Sequence, residues 1–137
     1  PRLAPAVIML VHDGGDRLIL GRQKHWPAGQ HSVLAGFVES GESLEDSVAR
    51  EIYEEAGVAV TDIRYHSSQP WPFPSSIMLG FTARATETAL NVNREELDDA
   101  AWFTRDDLLN SPEDDTFHLP RKDSISRRLI EDWMKAG

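Results

Sequence analysis

Residues 39–55 hold seven carboxylates, Glu39, Glu42, Glu45, Asp46, Glu51, Glu54 and Glu55, around a single cation, Arg50. The same stretch has the marks of a short amphipathic helix over 43–56, and the two facts conflict. Ser43 suits the N-cap position, with Asp46 three residues on as an incomplete capping box. Gly57 suits the left-handed position that ends a helix. Leu44, Val48 and Ile52 recur at i, i+4 and i+8 and define an apolar stripe. With Leu44 at zero and about 100° per residue, Val48 and Ile52 fall at about 40° and 80°, and Glu54, Glu51 and Glu55 at about 280°, 340° and 20°. Three glutamates therefore share an arc of about 100°, and Glu55 lies on the edge of the stripe.

Without a partner this arrangement is unfavourable. Glu51 and Glu55 are like charges at i, i+4, which costs a few tenths of a kcal/mol even in water. Both lie toward the negative end of the helix dipole. A carboxylate turned half into a core costs more unless it is paired. By helical spacing Arg50 reaches only Glu54. A divalent cation would resolve the conflict, and Mg²⁺ and Mn²⁺ favour carboxylate, carbonyl and water oxygens. The cluster therefore reads as a metal site and not as a solvated acidic face. Gly36 and Gly41, flanking Phe37-Val38-Glu39-Ser40, would let backbone approach a ligand closely.

The rest of the chain is ordinary for a small globule. Its 137 residues fit one domain, 1–137, with 40% hydrophobic and 27% charged residues. No apolar run reaches the roughly 18 residues of a membrane span, and no secretion leader is visible. Cysteine is absent, so the sequence offers no disulfide, no thiolate zinc site and no cysteine nucleophile. This fits a reducing, cytoplasmic setting. The net charge of −9 argues against indiscriminate duplex binding. An anionic substrate would need a cation between itself and such a surface.

Residues 6–12 and 17–23 are apolar runs around Asp13-Gly14-Gly15-Asp16 and read as a β-hairpin. Further strands are expected over 33–37, 58–67, 77–85 and 100–104. Residues 124–135 read as a terminal helix with Ile125, Leu129, Ile130 and Trp133 on its inner face. Strands flanked by two helices give an α/β (α+β) layered domain around a mixed sheet.

Gly36, Glu42 and the run Arg50-Glu51-Ile52-Tyr53-Glu54-Glu55-Ala56-Gly57-Val58 match every fixed position of the Nudix box, and the chain resembles the Nudix hydrolases. The resemblance implies an α/β/α sandwich and hydrolysis of a nucleoside diphosphate linked to another group, with Mg²⁺ or Mn²⁺. It implies Glu51 and Glu55 as direct metal ligands, Glu54 as a ligand through water, and the Ala35 carbonyl as a further ligand. Arg50 would orient the glutamates, and Glu54 or Glu55 would position or deprotonate the attacking water.

A second segment, Ser68-Gln69-Pro70-Trp71-Pro72-Phe73-Pro74-Ser75-Ser76, resembles the signature of the NADH pyrophosphatase branch. Its three prolines fix the backbone and lower the entropy lost on binding. Trp71 and Phe73 would present rigid apolar faces, and Gln69, Ser75 and Ser76 hydrogen bonds. The resemblance extends to Glu96 as a downstream metal ligand, Phe37 as a base-stacking aromatic and the Ser126 backbone as an adenine contact. The activity implied is cleavage of NADH or NAD⁺ to nicotinamide mononucleotide and AMP, with removal of NAD caps from RNA beside it. The acidic surface would leave recognition of such RNA to the cap. A homodimer is implied as well. The alternatives are hydrolysis of ADP-ribose or a dinucleoside polyphosphate, and a nucleotide sensor without catalysis. Members of the branch carry an N-terminal region and a four-cysteine zinc ribbon that these residues do not include. The chain therefore reads as an excised domain or a ribbonless variant.

Overall fold

The structure, a computed structural model, describes residues 4–71 and 76–137. Its elements run β1 (Ala4–His12), β2 (Arg17–Arg22), β3 (Leu34–Phe37), α1 (Leu44–Ala56), β4 (Val60–Trp71), β5 (Ser76–Ala85), β6 (Asp99–Thr104), α2 (Arg105–Leu109) and α3 (Ile125–Ala136).

Successive side chains of a strand point to opposite faces, and β1 shows what this does here. Val7, Met9 and Val11 pack with Val48, Ile52 and Ala56 of α1 and with Phe81 and Ala83 of β5. Ile8 and Leu10 pack with Ile125, Leu129, Ile130 and Trp133 of α3. A continuous apolar run thus serves two cores, one on each face, and the result is the expected α/β/α sandwich.

The sheet order is β4-β5-β1-β2-β6, with β3 also on β1. β1 runs parallel to β5 along its length, from Ala4 beside Ser76 to His12 beside Arg84. On its other edge β1 changes neighbours. Ala6 to Met9 pair antiparallel with Phe37 to Leu34, and His12 pairs with Leu18 of β2. The hairpin expected over 6–23 is therefore present, and β3 is inserted beside its first half.

Two elements differ from the sequence expectation. β4 continues past residue 67 to Trp71, carrying Gln69 and Pro70 in antiparallel register with Met78 and Ile77 of β5. Pro70 is tolerated because β4 is an edge strand, where a missing N–H faces no neighbour. α2 was not anticipated. It is held by a capping box in which Thr104 Oγ1 accepts from the Asp107 amide (3.1 Å) and Asp107 Oδ2 accepts from the Thr104 amide (2.9 Å). Five residues are too few to show a helical period.

α3 is fixed at both ends. Ser124 caps it, its hydroxyl accepting from the Arg127 amide at 3.1 Å. Near its C-terminus the Arg105 guanidinium stacks over the Trp133 ring at 3.8 Å and donates to the Trp133 carbonyl at 2.9 Å. No described helix is long and apolar enough to cross a membrane.

Ile130 is fully buried on the α3 face. Ile130→Ala is expected to lower stability by about 2–5 kcal/mol, read as an earlier urea midpoint with an unchanged slope. An unshifted midpoint would mean that α3 does not carry that core.

Candidate metal centre and its adjoining clefts

α1 presents its acids on the buried side. Glu51 and Glu55 are 9% and 3% exposed, in one stripe with Val48, Ile52 and Ala56. Glu54 points away and is exposed. One carboxylate oxygen from each of Glu51, Glu55 and Glu96 lies within 4.8 Å of the others. Glu96 comes from a turn docked on the end of α1. The amides of Asn91 and Asn93 donate to the carbonyls of Ala56 and Glu55 (2.8 and 2.9 Å), and buried Leu97 anchors the far side. The turn thus satisfies helix-end carbonyls that would otherwise lack partners, and in doing so brings Glu96 to the cluster.

Arg50 is the hub of the acidic network, with wider reach than helical spacing predicts. It donates to Glu42 through Nε (2.6 Å) and Nη2 (2.8 Å), and through Nη1 to Glu51 (2.7 Å) and Glu54 (3.2 Å). Its Nη2 also donates to the Phe37 carbonyl at 3.1 Å, and Glu39 lies 3.6 Å away. Glu54 is its i, i+4 partner as expected, and four further residues, Glu51 beside it and the loop residues Phe37, Glu39 and Glu42, also contact it. Glu42 also accepts from the Glu39 amide (2.9 Å), closing the loop between β3 and α1. Hydrogen bonds from Arg50 hold the Glu42 carboxyl down at about 2 and raise the guanidinium in turn.

Glu55 has no such help. Its Oε1 is buried and without a hydrogen-bond partner among the described residues. Burial first, then the charges of Glu51, Glu96 and Glu54, push its pKa up to about 8. Burial also pushes Glu51 up, against the pull of Arg50. A Cβ on Gly36 would fall on the Glu51 carboxylate, so a larger residue there would have to displace that side chain. An orphaned buried oxygen, an all-oxygen donor set and a backbone cradle without a side chain fit a hard divalent cation.

These glutamates floor a cleft of about 650 Å³, also bordered by Ala6, Gln23, Ala35, Gly36, Phe37 and Met78. Phe37 is 62% exposed, which excludes a core role for it. Glu54 lines a separate hollow with Tyr53 and Asn93. A second cleft of about 370 Å³ shares Met78 as a border with the first and is also bordered by Ile8, Trp26, Leu119 and Ser126. Ser126 is buried, its hydroxyl 2.6 Å from that of Ser32. The amide of Gln69, expected to offer hydrogen bonds to a substrate, is committed to the chain itself. Its Nε2 donates to the Asp123 carbonyl (3.0 Å) and its Oε1 accepts from the Ile125 amide (3.1 Å), tying β4 to the start of α3. Pro72, Phe73, Pro74 and Ser75 lie outside the described residues, as do the side chains of Trp71 and Ser76. Gln23, Trp26 and Met78 were not singled out from sequence. They border the clefts through tertiary packing, and no spacing pattern marks them.

A mixed-sheet sandwich whose acidic helix delivers oxygen donors to a cleft defines an α/β/α domain with a candidate site for a divalent cation. The chain matches the NUDIX domain over residues 2–128 and belongs to that family. It is 49% identical over 142 residues to the NAD-capped RNA hydrolase NudC of Mycobacterium bovis, covering 97% of this chain and 45% of that protein. It is 45% identical over 139 residues to the NAD-capped RNA hydrolase NUDT12 of Macaca fascicularis, covering 98% of this chain and 30% of that protein. The chain spans less than half the length of these relatives. Among solved structures, a NUDIX family hydrolase of Clostridium perfringens aligns over 99% of both chains with a TM-score of 0.78 and 19% identity. The NUDIX domain of Shewanella oneidensis NrtR, solved with ADP ribose, aligns over 99% of this chain and 89% of that one (TM-score 0.75, 20% identity). At these identities the likeness is one of fold.

Two expectations follow from the geometry. Glu55 holds its proton in the folded state up to about 8, against an ordinary value of 4.5. Its contribution to stability is thus full below about pH 4.5 and is lost as pH rises toward 8. Without divalent ions the melting temperature should fall from pH 5 to pH 8, and Mn²⁺ should raise it more at pH 8, where it no longer competes with a proton. Glu55→Gln should flatten the fall and abolish most of the Mn²⁺ response in the same calorimetric scans. An undiminished response would remove Glu55 from the site. Gly36→Ala should weaken Mn²⁺ binding at least about tenfold by titration calorimetry, because the new methyl displaces Glu51; wild-type affinity would mean that the cradle is not needed.

Proposed function

We propose that this domain hydrolyses the diphosphate of NADH or NAD⁺ to nicotinamide mononucleotide and AMP, and removes NAD caps from RNA by the same reaction. The observation that carries this reading is the carboxylate cluster on the floor of one cleft, with a second cleft of a size for a nucleoside on the other side of Met78. A dinucleotide has that form: a central diphosphate with a nucleoside at each end. Two relatives at 45–49% identity are named for NAD-cap hydrolysis, which supports the same chemistry here.

Glu51, Glu55 and Glu96, with the Ala35 carbonyl, would hold the Mg²⁺ or Mn²⁺, and Glu54 would join through water. The cation would neutralise the diphosphate and acidify a bound water. The oxygen of water would attack one phosphorus, the bond from that phosphorus to the bridging oxygen would break, and the bridging oxygen would leave with the other phosphate. Two phosphomonoesters form, and the two protons of the water pass to the product phosphates or to solvent. Glu55 borders the cleft and Glu54 does not, which favours Glu55 as the carboxylate that positions this water. Arg50 acts through Glu51, fixing its carboxylate by the 2.7 Å contact. Phe37, exposed at the rim, would stack on a base, and Ser126 would border the adenine. By the resemblance of the signature segment, Trp71 and Phe73 would grip the nicotinamide or adenine end. In this reading the working form is a cytoplasmic homodimer.

The test is product analysis with NADH, ADP-ribose and NAD-capped RNA. AMP should be released from NADH with Mn²⁺ and suppressed by EDTA, at a kcat/KM at least about tenfold above that for ADP-ribose. The reverse preference would overturn the assignment. Glu55→Gln should lower kcat at least about 100-fold, which is about 2.7 kcal/mol of transition-state stabilisation, with the circular dichroism spectrum retained. Near wild-type turnover would take Glu55 out of the reaction.

A further inference from the structure

The net charge of −9 conceals a local reversal at the mouth of the second cleft. Residues 22–31 contain Arg22, Lys24, His25 and His31 and no carboxylate, and residues 116–122 contain His118, Arg121 and Lys122 and no carboxylate. The fold stitches these two segments together. Gln30 and His118 form a β-bridge, the His31 amide donates to the His118 carbonyl (3.0 Å), and the His118 amide donates to the Gly29 carbonyl (2.8 Å). Trp26, His118 and Arg121 border the cleft directly.

These cations differ in how far the protein uses them. Arg22 is consumed by Asp98 and by the carbonyls of Trp26, Pro27 and Gln30. Lys24, Arg121 and Lys122 are exposed. Lys24 and Lys122 make no ion pair among the described residues, and Arg121 touches only Asp123, at 3.4 Å with side chains 87% and 74% exposed. So open a pair contributes little to stability. The nearby acids are Asp123, Asp98 on Arg22, Glu113, which accepts from the Leu119 amide at 2.8 Å, and, beside Gly29, Asp114 and Asp115. Asp114 is occupied by the amide and hydroxyl of Thr116.

We propose that this rim is a phosphate track for the single-stranded RNA that follows an NAD cap. The inference rests on the preceding reading of the site and adds a residue-level basis for choosing RNA. In a capped RNA the polynucleotide leaves from the adenosine ribose. With that adenosine in the cleft beside Ser126, the first phosphates leave past Arg121 at its border, with Lys122 next to it in sequence and Lys24 two residues from Trp26. Trp26, half-buried at the same edge, offers a face for a base to stack on. A dinucleotide alone ends at the adenosine and has no phosphate for these cations to meet. The expectation that an acidic surface leaves RNA recognition to the cap is thereby revised for this one edge.

The test is the triple variant Lys24→Ala/Arg121→Ala/Lys122→Ala, compared with wild type on NADH, NADPH and an NAD-capped ten-nucleotide RNA with Mn²⁺. Binding of the same RNA, fluorescent at its 3′ end, is read by anisotropy with Ca²⁺ in place of Mn²⁺. The kcat/KM for capped RNA should fall at least about tenfold and its affinity likewise. The slope of log affinity against log salt should shrink by about 2, three single-strand phosphate contacts at about 0.7 each. Turnover of NADH should stay within about twofold. Unchanged capped-RNA binding, an equal loss on NADH, or a loss confined to NADPH, the mark of a single 2′-phosphate, would each overturn the track. Wild-type protein that hydrolyses neither NADH nor capped RNA would overturn the function itself; NADH turnover with an indifferent RNA response would overturn the track alone.

Discussion

The constraint on which the rest of the molecule depends is a pair of like charges buried one helical turn apart. Glu51 and Glu55 lie in the same stripe of α1 as the core residues Val48 and Ile52. Folding that stripe against the sheet removes both carboxylates from water. One guanidinium is available, and the geometry spends it unevenly. Arg50 reaches Glu51 and the loop acids but leaves Glu55 Oε1 without a partner. Removing one partner of a buried charge leaves the other at a cost of several kcal/mol. Neutralisation by a proton is one remedy, and the raised pKa of Glu55 is its signature. A divalent cation is the other, and it makes the same oxygen useful. Local stability is thus given up at the place where the proposed chemistry would be done, a common trade at active sites.

The surroundings serve this pair. β1 exchanges β3 for β2 along one edge, which brings Ala35 and Gly36 opposite the middle of α1. Gly36 pairs with Val7 in the sheet and faces Glu51 with no side chain between them. The loop from Phe37 to Ser43 is drawn in by Arg50 through Glu42 and the Phe37 carbonyl, so one arginine sets loop and helix together. On the opposite side the 91–97 turn satisfies the last carbonyls of α1 and brings the third carboxylate. Backbone groups that had to find partners anyway are thereby used to position Glu96.

Much of this was legible before any coordinates. α1 is bounded by Ser43 and Gly57, as its cap residues indicate, and Gly57 has a φ of 70°. The helical wheel put Glu55 on the edge of the apolar stripe, and burial agrees. The two-faced core followed from a continuous apolar β1 with an amphipathic helix on either side. What could not be read depends on contacts distant in sequence. Arg50 binds Glu42 eight residues back and the carbonyl of Phe37 thirteen back, and no helical spacing predicts either. Gln69 sits in a motif dense with prolines and aromatics and reads there as a ligand donor. Only the docking of α3 against β4 shows that its amide holds the fold. Pro70 suggests a loop because proline breaks ladders in general; an edge strand is the exception.

Charge gives a further case in which a sum misleads. At physiological salt, interactions between exposed charges fade over about 8 Å. A strand of RNA lying on one edge therefore does not respond to −9 as a whole. It responds to the groups within a Debye length of its own phosphates. Seven of the 23 carboxylates lie on α1 and the loop before it, and most of these bind Arg50 or border the acidic cleft. Those in the cleft also repel a polyanion that enters it without a neutralising cation. The cations at the other end of the groove stand beside the opening through which a polymer attached to the adenosine would have to leave. An acidic floor and a basic exit then select for the same substrate in different ways. The floor admits phosphate only with a metal, and the exit favours substrates that continue beyond the second nucleoside.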